Sequence, residues 1–292
     1  MSSVLIAPLV SDTAWHPYFV QKLMEYADSA IIGKRFKYGK GWIEHIKNKY
    51  VVKEQKGISE YIITDINRVD TTEVSDGDLV GFSHGGAYEP FDLEYEDAEC
   101  EAMETENFPR YKTIYVASNH QKKMILDKYP KLTNLLVTAF PYMDYSFNPM
   151  YCAKKFAVCY AGQLSEAKGY DVIKDNRNVY ALRSHVNNTS KEEYLALVRK
   201  FRTMVVPSRK ETFGIAPVEA IQNCTIPLMT KGLSLYEIYG DTKSPVWINE
   251  PNDIDQAIAW ASNLTPGEAI RIIYDLYGSL MKFFSRIDAR FL

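Results

Sequence analysis

The stretch VVPSRKETFGIAPVEAIQNCTIPLM, from Val205 to Met229, has the clearest local pattern in the chain. It begins with an apolar run typical of a β-strand, passes through a charged loop that contains Gly214, and ends in a second apolar run, 226–229. Pro217 suits an early position in a helix between the two runs, because its missing N–H has no partner there. The order strand, loop, helix, strand predicts half of a Rossmann-like unit.

The start of this helix is a candidate anion site. We predict a helix over about 216–222, and Asn223 suits a helix end that needs a left-handed residue. The N–H groups of Phe213, Gly214 and Ile215 would then point out of the helix start, where the helix dipole favours an anion. Because Gly214 has no Cβ, a ligand can approach its backbone closely. A diphosphate fits this description.

Two glutamates are placed to face the same pocket. Glu211 lies just before the loop and Glu219 lies inside the helix. One carboxylate can therefore face the pocket from the loop and the other from the first turns of the helix. We expect one of them to contact a sugar and the other a ribose.

At these residues the chain resembles a known family. Glu211, seven residues and Glu219, set as PSRKETFGIAPVEA before a TIP-type strand, are similar to the donor-binding signature of the retaining GT-B glycosyltransferases, family 4-like. A second segment, FAVCYAGQLSEAKGYDVI from Phe156 to Ile173, resembles that family's strand, Gly-Arg loop and Lys-Gly helix entry. The alternative is an ordinary βα turn with chance glutamates. The resemblance implies α/β architecture, with two Rossmann-like domains facing across a cleft.

The resemblance also implies how the donor is bound. Lys168 matches the family's lysine, whose ammonium offsets the charge of the departing diphosphate. Gln163 follows Gly162 where the family normally has arginine, so Lys168 or Arg209 is expected to supply the positive charge. The donor is expected to be UDP-linked, and neither a metal nor another cofactor is required. The expected donor-binding residues are Gly162, Gln163, Lys168, Arg209, Phe213, Gly214, Ile215 and Glu219.

A histidine in the first half of the chain completes the predicted catalytic set. The loop SHGGAYEP follows a predicted strand, Leu79 to Ser83, and carries His84 before two glycines. In the resembled family a histidine on an N-domain loop lies against the donor sugar, and His84 is the candidate for that role. The alternative is a structural histidine at a strand end. With Glu211 and Lys168 it forms the implied catalytic group.

Composition excludes several other classes of protein. The 292 residues are 46% hydrophobic and 24% charged, which is ordinary for a soluble globular protein. A net charge of -3 implies no global attraction to nucleic acid. No apolar run reaches the length of a membrane span and the N-terminus does not resemble a signal peptide, so we expect a cytoplasmic location.

The acceptor side is predicted from a mixture of charge and aromatic residues. From Lys34 to Lys56, basic residues interleave with aromatic ones, a mixture that suits gripping phosphates and stacking on bases or sugars. A solvated basic face is the alternative. Where the family often has a glycine-rich loop, this chain has Asp12, Thr13 and His16, of which the first two can cap the next helix. The predicted acceptor-binding residues are His16, Lys34, Arg35, Lys37 and Trp42.

The acceptor itself is predicted from a second resemblance. The segment 220–258 is similar to bacteriophage DNA-modifying members of the family, which implies a hydroxymethylated base in double-stranded viral DNA as acceptor. A polysaccharide, lipid-linked or protein acceptor is the first alternative. The second is a nucleotide-sugar-binding protein that kept the fold and lost catalysis, which the arginine missing at Gln163 leaves open.

Turn formers and aromatic residues from Phe140 to Lys155 predict a linker between domains. We predict an acceptor domain over 1–145, a nucleotide-sugar domain over 146–268, and a helix in 269–292 that crosses back to the first domain. The candidates for recognition of the nucleotide base are Val186 and Asn187.

Further elements are predicted from local patterns. A buried strand is expected from Ser3 to Val10, a helix from Lys191 to Arg202, and a solvated helix or mobile loop in the acidic tract from Asp92 to Glu106.

Overall fold

The computed structural model describes residues 3–10, 16–26, 29–33, 35–36, 50–92, 97–147, 156–182, 190–250 and 253–292. The chain forms two compact units. The first comprises residues 1–144 and 287–292, and the second comprises residues 145–286. Both units contain a parallel sheet with helices in the connections, so the α/β class predicted from the sequence is confirmed.

The first unit contains a six-stranded parallel sheet of order β10-β9-β8-β6-β1-β3. Short strands pair outside it, β2 with β4 and β5 with β7. The strands described in this unit are β1 (Ser3–Ala7), β2 (Leu9–Val10), β3 (Ala30–Ile32), β4 (Arg35–Phe36), β5 (Tyr50–Val51), β6 (Ile58–Ile63), β7 (Val69–Asp70), β8 (Asp78–Phe82), β9 (Thr113–Val116) and β10 (Leu135–Val137). The helices are α1 (His16–Met24), α2 (Ala98–Asn107) and α3 (Asn119–Lys128), with 3₁₀ turns at Ile66–Arg68 and Phe108–Arg110.

The second unit contains a five-stranded parallel sheet of order β12-β11-β13-β14-β15. Its strands are β11 (Phe156–Tyr160), β12 (Val179–Ala181), β13 (Phe201–Val206), β14 (Ile226–Thr230) and β15 (Trp247–Ile248). Its helices are α4 (Tyr170–Ile173), α5 (Lys191–Val198), α6 (Ile215–Gln222), α7 (Leu233–Tyr239), α8 (Asp253–Ser262) and α9 (Pro266–Phe284), with a 3₁₀ turn at Glu166–Lys168.

The two sheets share one topological feature. In each, the first strand lies between the second and the third, so β1 pairs with β3 and β6, and β11 pairs with β12 and β13. The chain reverses its direction of winding at this point, and ligands of such folds bind outside the carboxyl ends of the two strands that flank it. The fold therefore directs attention to the loops after β1 and β6, and after β11 and β13.

Two helices of the second unit begin with a complete capping box. Ser190 and Glu193 bond reciprocally at the start of α5, and Thr265 and Glu268 do the same at α9, where Pro266 occupies the first turn. Each pair satisfies two N–H groups that the helix itself leaves without partners.

Several local predictions differ from the structure. The helix predicted to reach Arg202 ends at Val198, because Phe201 already enters β13, which is buried at the centre of the sheet. The left-handed residue after α6 is Cys224, with φ 53°, and not Asn223, with φ -100°. The amide of Asn223 instead donates to the carbonyl of Glu219 at 2.7 Å.

The N-terminal strand differs from its prediction, whereas the acidic tract follows the helix alternative except at one buried glutamate. The run predicted as one strand is divided, since β1 ends at Ala7 and β2 pairs separately with β4. Residues 98–106 of the acidic tract lie in α2, and Asp97 is the N-cap of this helix. Glu104 in this helix is buried. Its carboxylate is stabilised away from water because the side-chain amide of Asn67, the N–H of Ala87 and the hydroxyl of Tyr129 all donate to it.

The C-terminal segment is divided between the two units. The helix α9 lies in the second unit, and residues 287–292 belong to the first. There the backbone N–H of Ala139 and the hydroxyl of Thr138 both donate to the carbonyl of Asp288, at 2.8 and 2.6 Å. The predicted division into 1–145, 146–268 and a helix in 269–292 that crosses back stays a prediction. Residues 148–155 of the predicted linker lie outside the described residues.

The register of β10 can be tested by two leucines that are neighbours in sequence. Leu135 is 6% exposed and packs in the core of the first unit, whereas Leu136 is 37% exposed on the opposite face. We expect Leu135→Ala to lower the free energy of unfolding by about 2–4 kcal/mol, because it removes buried apolar contacts and leaves a cavity. Leu136→Ala, the matched control, should cost less than about 1 kcal/mol. Urea unfolding measures both, and equal losses would contradict this register.

Candidate functional site

The loops that follow β11 and β13 are bonded to each other at the reversal point of the second sheet. The backbone N–H groups of Arg209 and Lys210 donate to the carbonyl of Ala167, at 2.9 and 3.1 Å. The 3₁₀ turn Glu166–Lys168, in the loop after β11, is thereby held beside the segment that precedes α6. Residues that are far apart in sequence are brought together at the strand ends where ligands of this fold bind.

An ion pair joins the same two loops. The ammonium of Lys168 lies 2.8 Å from Oε1 of Glu211, and it also donates to the carbonyl of Lys210 at 2.9 Å. The hydroxyl of Ser208 donates to the same carboxylate oxygen at 3.0 Å. Both charged side chains are mostly buried, with 24% of Lys168 and 11% of Glu211 exposed. Two of the three predicted catalytic residues are therefore direct neighbours, while their roles stay predictions.

The backbone around Lys168 requires a glycine. Gly169 has φ 68°, a left-handed conformation that side chains rarely adopt, and a Cβ at this position would lie 2.0 Å from the carbonyl oxygen of Pro207. The loop after β11 can approach the end of β13 this closely only because Gly169 has no side chain. This close approach sets the position of Lys168.

Arg209 is paired with a carboxylate of the short helix α4. Its guanidinium forms two bonds with the carboxylate of Asp171, at 2.6 and 2.8 Å, and a third with the carbonyl of Glu166 at 2.9 Å. The hydrogen bond from Arg209 lowers the pKa of the Asp171 carboxyl. A fork-shaped pair of this kind fixes the guanidinium in place. The role of Arg209 as a donor-binding cation stays a prediction.

The helix whose start is the candidate anion site begins within one residue of its predicted place, and anion binding there stays a prediction. The helix begins at Ile215, and Gly214 is its N-cap, with φ 89°. A Cβ on Gly214 would lie 2.5 Å from Cδ2 of Leu235, so this position also requires glycine. Phe213 is buried beside it, and the hydroxyl of Ser234 donates to the carbonyl of Glu211 at 2.7 Å. The helix start and Glu211 are thus both held against α7.

Glu219, the second predicted carboxylate, is buried within α6 and has two partners on α5. The ammonium of Lys191 contacts Oε1, and the hydroxyl of Tyr194 donates to Oε2 at 2.9 Å. Neither Lys191 nor Tyr194 was predicted as a site residue. The available signal was the capping box that starts α5, because it places residues 191 and 194 three apart on one helix face.

The loop that contains Gly162 and Gln163 is bonded to Tyr160, the last residue of β11. The hydroxyl of Tyr160 donates to the carbonyl of Gln163 and lies 3.2 Å from that of Lys168. The side chain of Gln163 is exposed. The predicted position of these two residues after β11 is correct, and their contact with a donor stays a prediction.

His84, in the first unit, lies at the reversal point of its own sheet. Its Nε2 is 2.7 Å from the carbonyl of Thr64, which directly follows β6, and its Nδ1 is 3.0 Å from the hydroxyl of Tyr142. A carbonyl can only accept, so Nε2 carries a hydrogen. The ring is also packed edge-on against Phe19 and Phe140. His84 thus has a fixed orientation, and its predicted role at the sugar stays a prediction.

His16 has the surroundings of a core residue. It begins α1, is 2% exposed, and its ring stacks on Phe19. Burial, and to a smaller extent the nearby His84, lower the pKa of His16 to about 3, although Asp65 opposes the shift. The imidazole is therefore neutral at pH 7. Its predicted contact with an acceptor stays a prediction.

The other predicted acceptor and base-recognition residues fall where no structure is described. Lys34, Lys37 and Trp42 lie outside the described residues, as do Val186 and Asn187 and the capping candidates Asp12 and Thr13; Arg35 is described only as backbone in β4. Across the part of the chain that is described, no group of three or more His, Cys, Asp or Glu could hold a metal ion. No described helix has the length and apolar character to span a membrane.

The sequence comparisons point to one family. Residues 176–266 match the family model described as glycosyl transferases group 1. The matched residues lie in the second unit and include Glu211 and Glu219. No curated protein matches the sequence.

Solved structures with the same fold are available from several organisms. Sucrose-phosphate synthase from Thermosynechococcus elongatus is similar with a TM-score of 0.69 and 12% identity, over 97% of this chain and 95% of that one. Anabaena Alr3699/HepE, in complex with UDP and glucose, gives 0.65 and 12% over 99% and 96%. A mutant of S. aureus TarM, in complex with Fondaparinux, alpha-GlcNAc-glycerol and UDP, gives 0.54 and 13% over 76% of this chain, which spans about half, 52%, of that one.

These neighbours are GT-B glycosyltransferases, and at such low identities they establish the fold. The predicted GT-B fold class is confirmed. Together with the family match, they support a GT-B glycosyltransferase.

The close approach at Gly169 makes a prediction about stability. We expect Gly169→Ala to lower the free energy of unfolding by about 1–3 kcal/mol, because it combines a left-handed backbone with a clash against the carbonyl of Pro207. Gly267→Ala is the matched control, since a Cβ there meets nothing within 4 Å and the residue lies in the first turn of α9. That variant should be neutral or slightly more stable. Thermal and urea unfolding measure both changes, and a neutral Gly169→Ala would show that the loop is not held in this way.

Proposed function

We propose that this protein is a metal-independent, retaining glycosyltransferase of the family 4 type that transfers a sugar from a UDP-linked donor to a hydroxyl group. The observation that carries the proposal is the Lys168–Glu211 ion pair, placed beside the start of α6 at the reversal point of the second sheet. This arrangement offers a cation, a helix start and a carboxylate within one set of bonded loops.

The chemistry requires partners for two developing charges. When the bond between the anomeric carbon and the diphosphate oxygen breaks, its electron pair stays with the leaving nucleotide, and positive charge builds on the sugar. The oxygen of the acceptor hydroxyl forms the new bond to the anomeric carbon, and its proton passes to the diphosphate oxygen that leaves. Lys168 and the N–H groups at the start of α6 are placed to stabilise the negative side, because groups fixed in advance need no reorganisation during the reaction. The carboxylate of Glu211 is assigned to the sugar and that of Glu219 to the ribose.

The choice of UDP is supported by structural neighbours. The Anabaena and S. aureus structures are complexes with UDP, and an E. coli trehalose-6-phosphate protein is bound with UDP-2-fluoro glucose. A nucleotide bound at the equivalent strand ends of this chain would meet Lys168 and the start of α6. The first acceptor hypothesis stays the hydroxymethylated base in DNA that the sequence suggested, with glycans, lipids and proteins as alternatives.

A change at Glu211 separates donor binding from transfer. In Glu211→Gln, Lys168 loses its charged partner but keeps its contact with the carbonyl of Lys210. We expect release of UDP from a UDP-sugar to fall by about 100-fold or more, because a charged group at the reacting centre is lost. UDP should bind as tightly as to the parent protein or more tightly, since the Lys168 ammonium is no longer neutralised.

Release of labelled UDP and titration calorimetry with UDP measure the two effects. Glu192→Gln is the matched control, because that glutamate is exposed on α5. A Glu211→Gln variant with full turnover would remove Glu211 from the reaction. A parent protein that binds UDP but turns over no sugar donor would favour the alternative of a binding protein that has lost catalysis.

The acceptor hypothesis needs its own experiment. Duplex DNA with hydroxymethylated pyrimidines is incubated with a panel of radiolabelled nucleotide sugars, and unmodified duplex of the same sequence is the control. We expect label in the hydroxymethylated duplex alone, and none with Glu211→Gln. Turnover of the donor without labelled DNA would show the DNA acceptor to be wrong and leave the transferase proposal intact.

A further inference from the structure

The surroundings of Glu219 differ from those of an ordinary helix glutamate. Its side chain is only 7% exposed, and both of its carboxylate oxygens are bonded by side chains of α5. A carboxylate taken out of water must have charged or hydrogen-bonding partners, or its burial is costly. The donors that α5 provides for it are Lys191 and Tyr194.

Tyr194 is a permanent donor to this carboxylate. Burial and then the negative charge of Glu219 raise the pKa of the Tyr194 phenol well above its ordinary value. The phenol therefore keeps its proton at every pH at which the protein would be studied. Its bond of 2.9 Å to Oε2 fixes one side of the carboxylate.

Lys191 supplies the positive charge. Its ammonium contacts Oε1 and also lies 5.4 Å from the centre of the Tyr194 ring. Its side chain is 36% exposed, so the pair extends from the buried carboxylate to the surface of the unit. Lys191 and Tyr194 thus hold the two oxygens of Glu219 from one helix face.

An ionised carboxylate has about four lone-pair positions on its two oxygens. Of the donors that the structure describes, Lys191 and Tyr194 use one position on each oxygen. One position on each oxygen then remains, and the two are oriented by the same pair of donors. Two neighbouring hydroxyl groups on one ring are the ligand that matches such an arrangement.

We propose that Lys191 and Tyr194 are positioning residues that orient Glu219 for the 2′- and 3′-hydroxyl groups of the donor ribose. This inference rests on the proposed function and goes beyond it, because neither residue belongs to the donor-binding pattern. Lys191 and Tyr194 act through Glu219, so their effect should depend on the ribose hydroxyls. A purely structural link between α5 and α6 would have no such dependence.

The experiment compares UDP with 2′,3′-dideoxy-UDP by titration calorimetry. In the parent protein, loss of both hydroxyls should weaken binding by about 10- to 100-fold, as expected for hydrogen bonds to a charged group. In Tyr194→Phe and in Lys191→Met the ratio of the two dissociation constants, that of 2′,3′-dideoxy-UDP over that of UDP, should fall to less than about 5-fold, because the carboxylate is no longer oriented. Lys191→Arg retains the charge and should recover most of the ratio.

Matched controls come from the same unit. Lys200→Met removes an exposed lysine just after α5, and Tyr274→Phe removes the hydroxyl of an exposed tyrosine on α9, so both should keep the parent ratio. Tyr194→Phe preserves the volume of the side chain, and unfolding in urea reports whether each variant is folded. If Lys191→Met does not fold, Tyr194→Phe carries the test alone.

Three results would overturn the inference. Variants that weaken both ligands equally would show a structural link only. Variants that change neither affinity would show no role at Glu219. A parent protein that binds neither ligand would overturn the proposed function itself, and the inference with it, whereas in the first two cases the parent protein binds UDP and the proposed function stands.

Discussion

The ion pair between Lys168 and Glu211 is the interaction on which the candidate site depends. It joins the loops after β11 and β13, the two strands between which the chain reverses its direction of winding. Such strands open a crevice where their helices diverge to the two faces of the sheet. The pair lies across that crevice, and the approach of the loops needs glycine at position 169, where any Cβ would strike the carbonyl of Pro207. The strand order therefore determines where the site lies, and the side chains of the two loops determine its chemistry.

The first unit obeys the same rule with different chemistry. Its strands have the same order at the reversal point, and there His84 bonds to the carbonyl of Thr64 at the end of β6. Aromatic rings of Phe19 and Phe140 enclose the imidazole, and the neutral, buried His16 lies nearby. Where the second unit gathers charged groups, the first holds the imidazole of His84 in a fixed orientation in an aromatic setting.

The sequence predicted those features that depend on residues close together in the chain. The stretch from Val205 to Met229 gave strand, loop and helix within a residue or two, because capping, glycine and apolar runs act over short distances. Lys168 and Glu211 were grouped through the family resemblance, and the pairing of β11 with β13 explains why they are neighbours. The partners of Glu219 could not be found in this way, since they depend on how α5 packs on α6. The same holds for the burial of Glu104, because the acidic composition of its tract predicts that every side chain there is exposed to solvent.

The charges of the second unit constrain how it could bind a nucleotide. Lys168, Arg209 and Lys191 are each paired with a carboxylate, namely Glu211, Asp171 and Glu219. An incoming diphosphate gains less from a cation that already has a partner than from one without, because part of its field is cancelled. The start of α6 differs, since its N–H groups and helix dipole carry partial positive charge that no side chain of the helix's first turn opposes. The helix start would therefore provide the first attraction for the anion, and rearrangement of the Lys168 pair would follow once the phosphate is near enough to compete with Glu211.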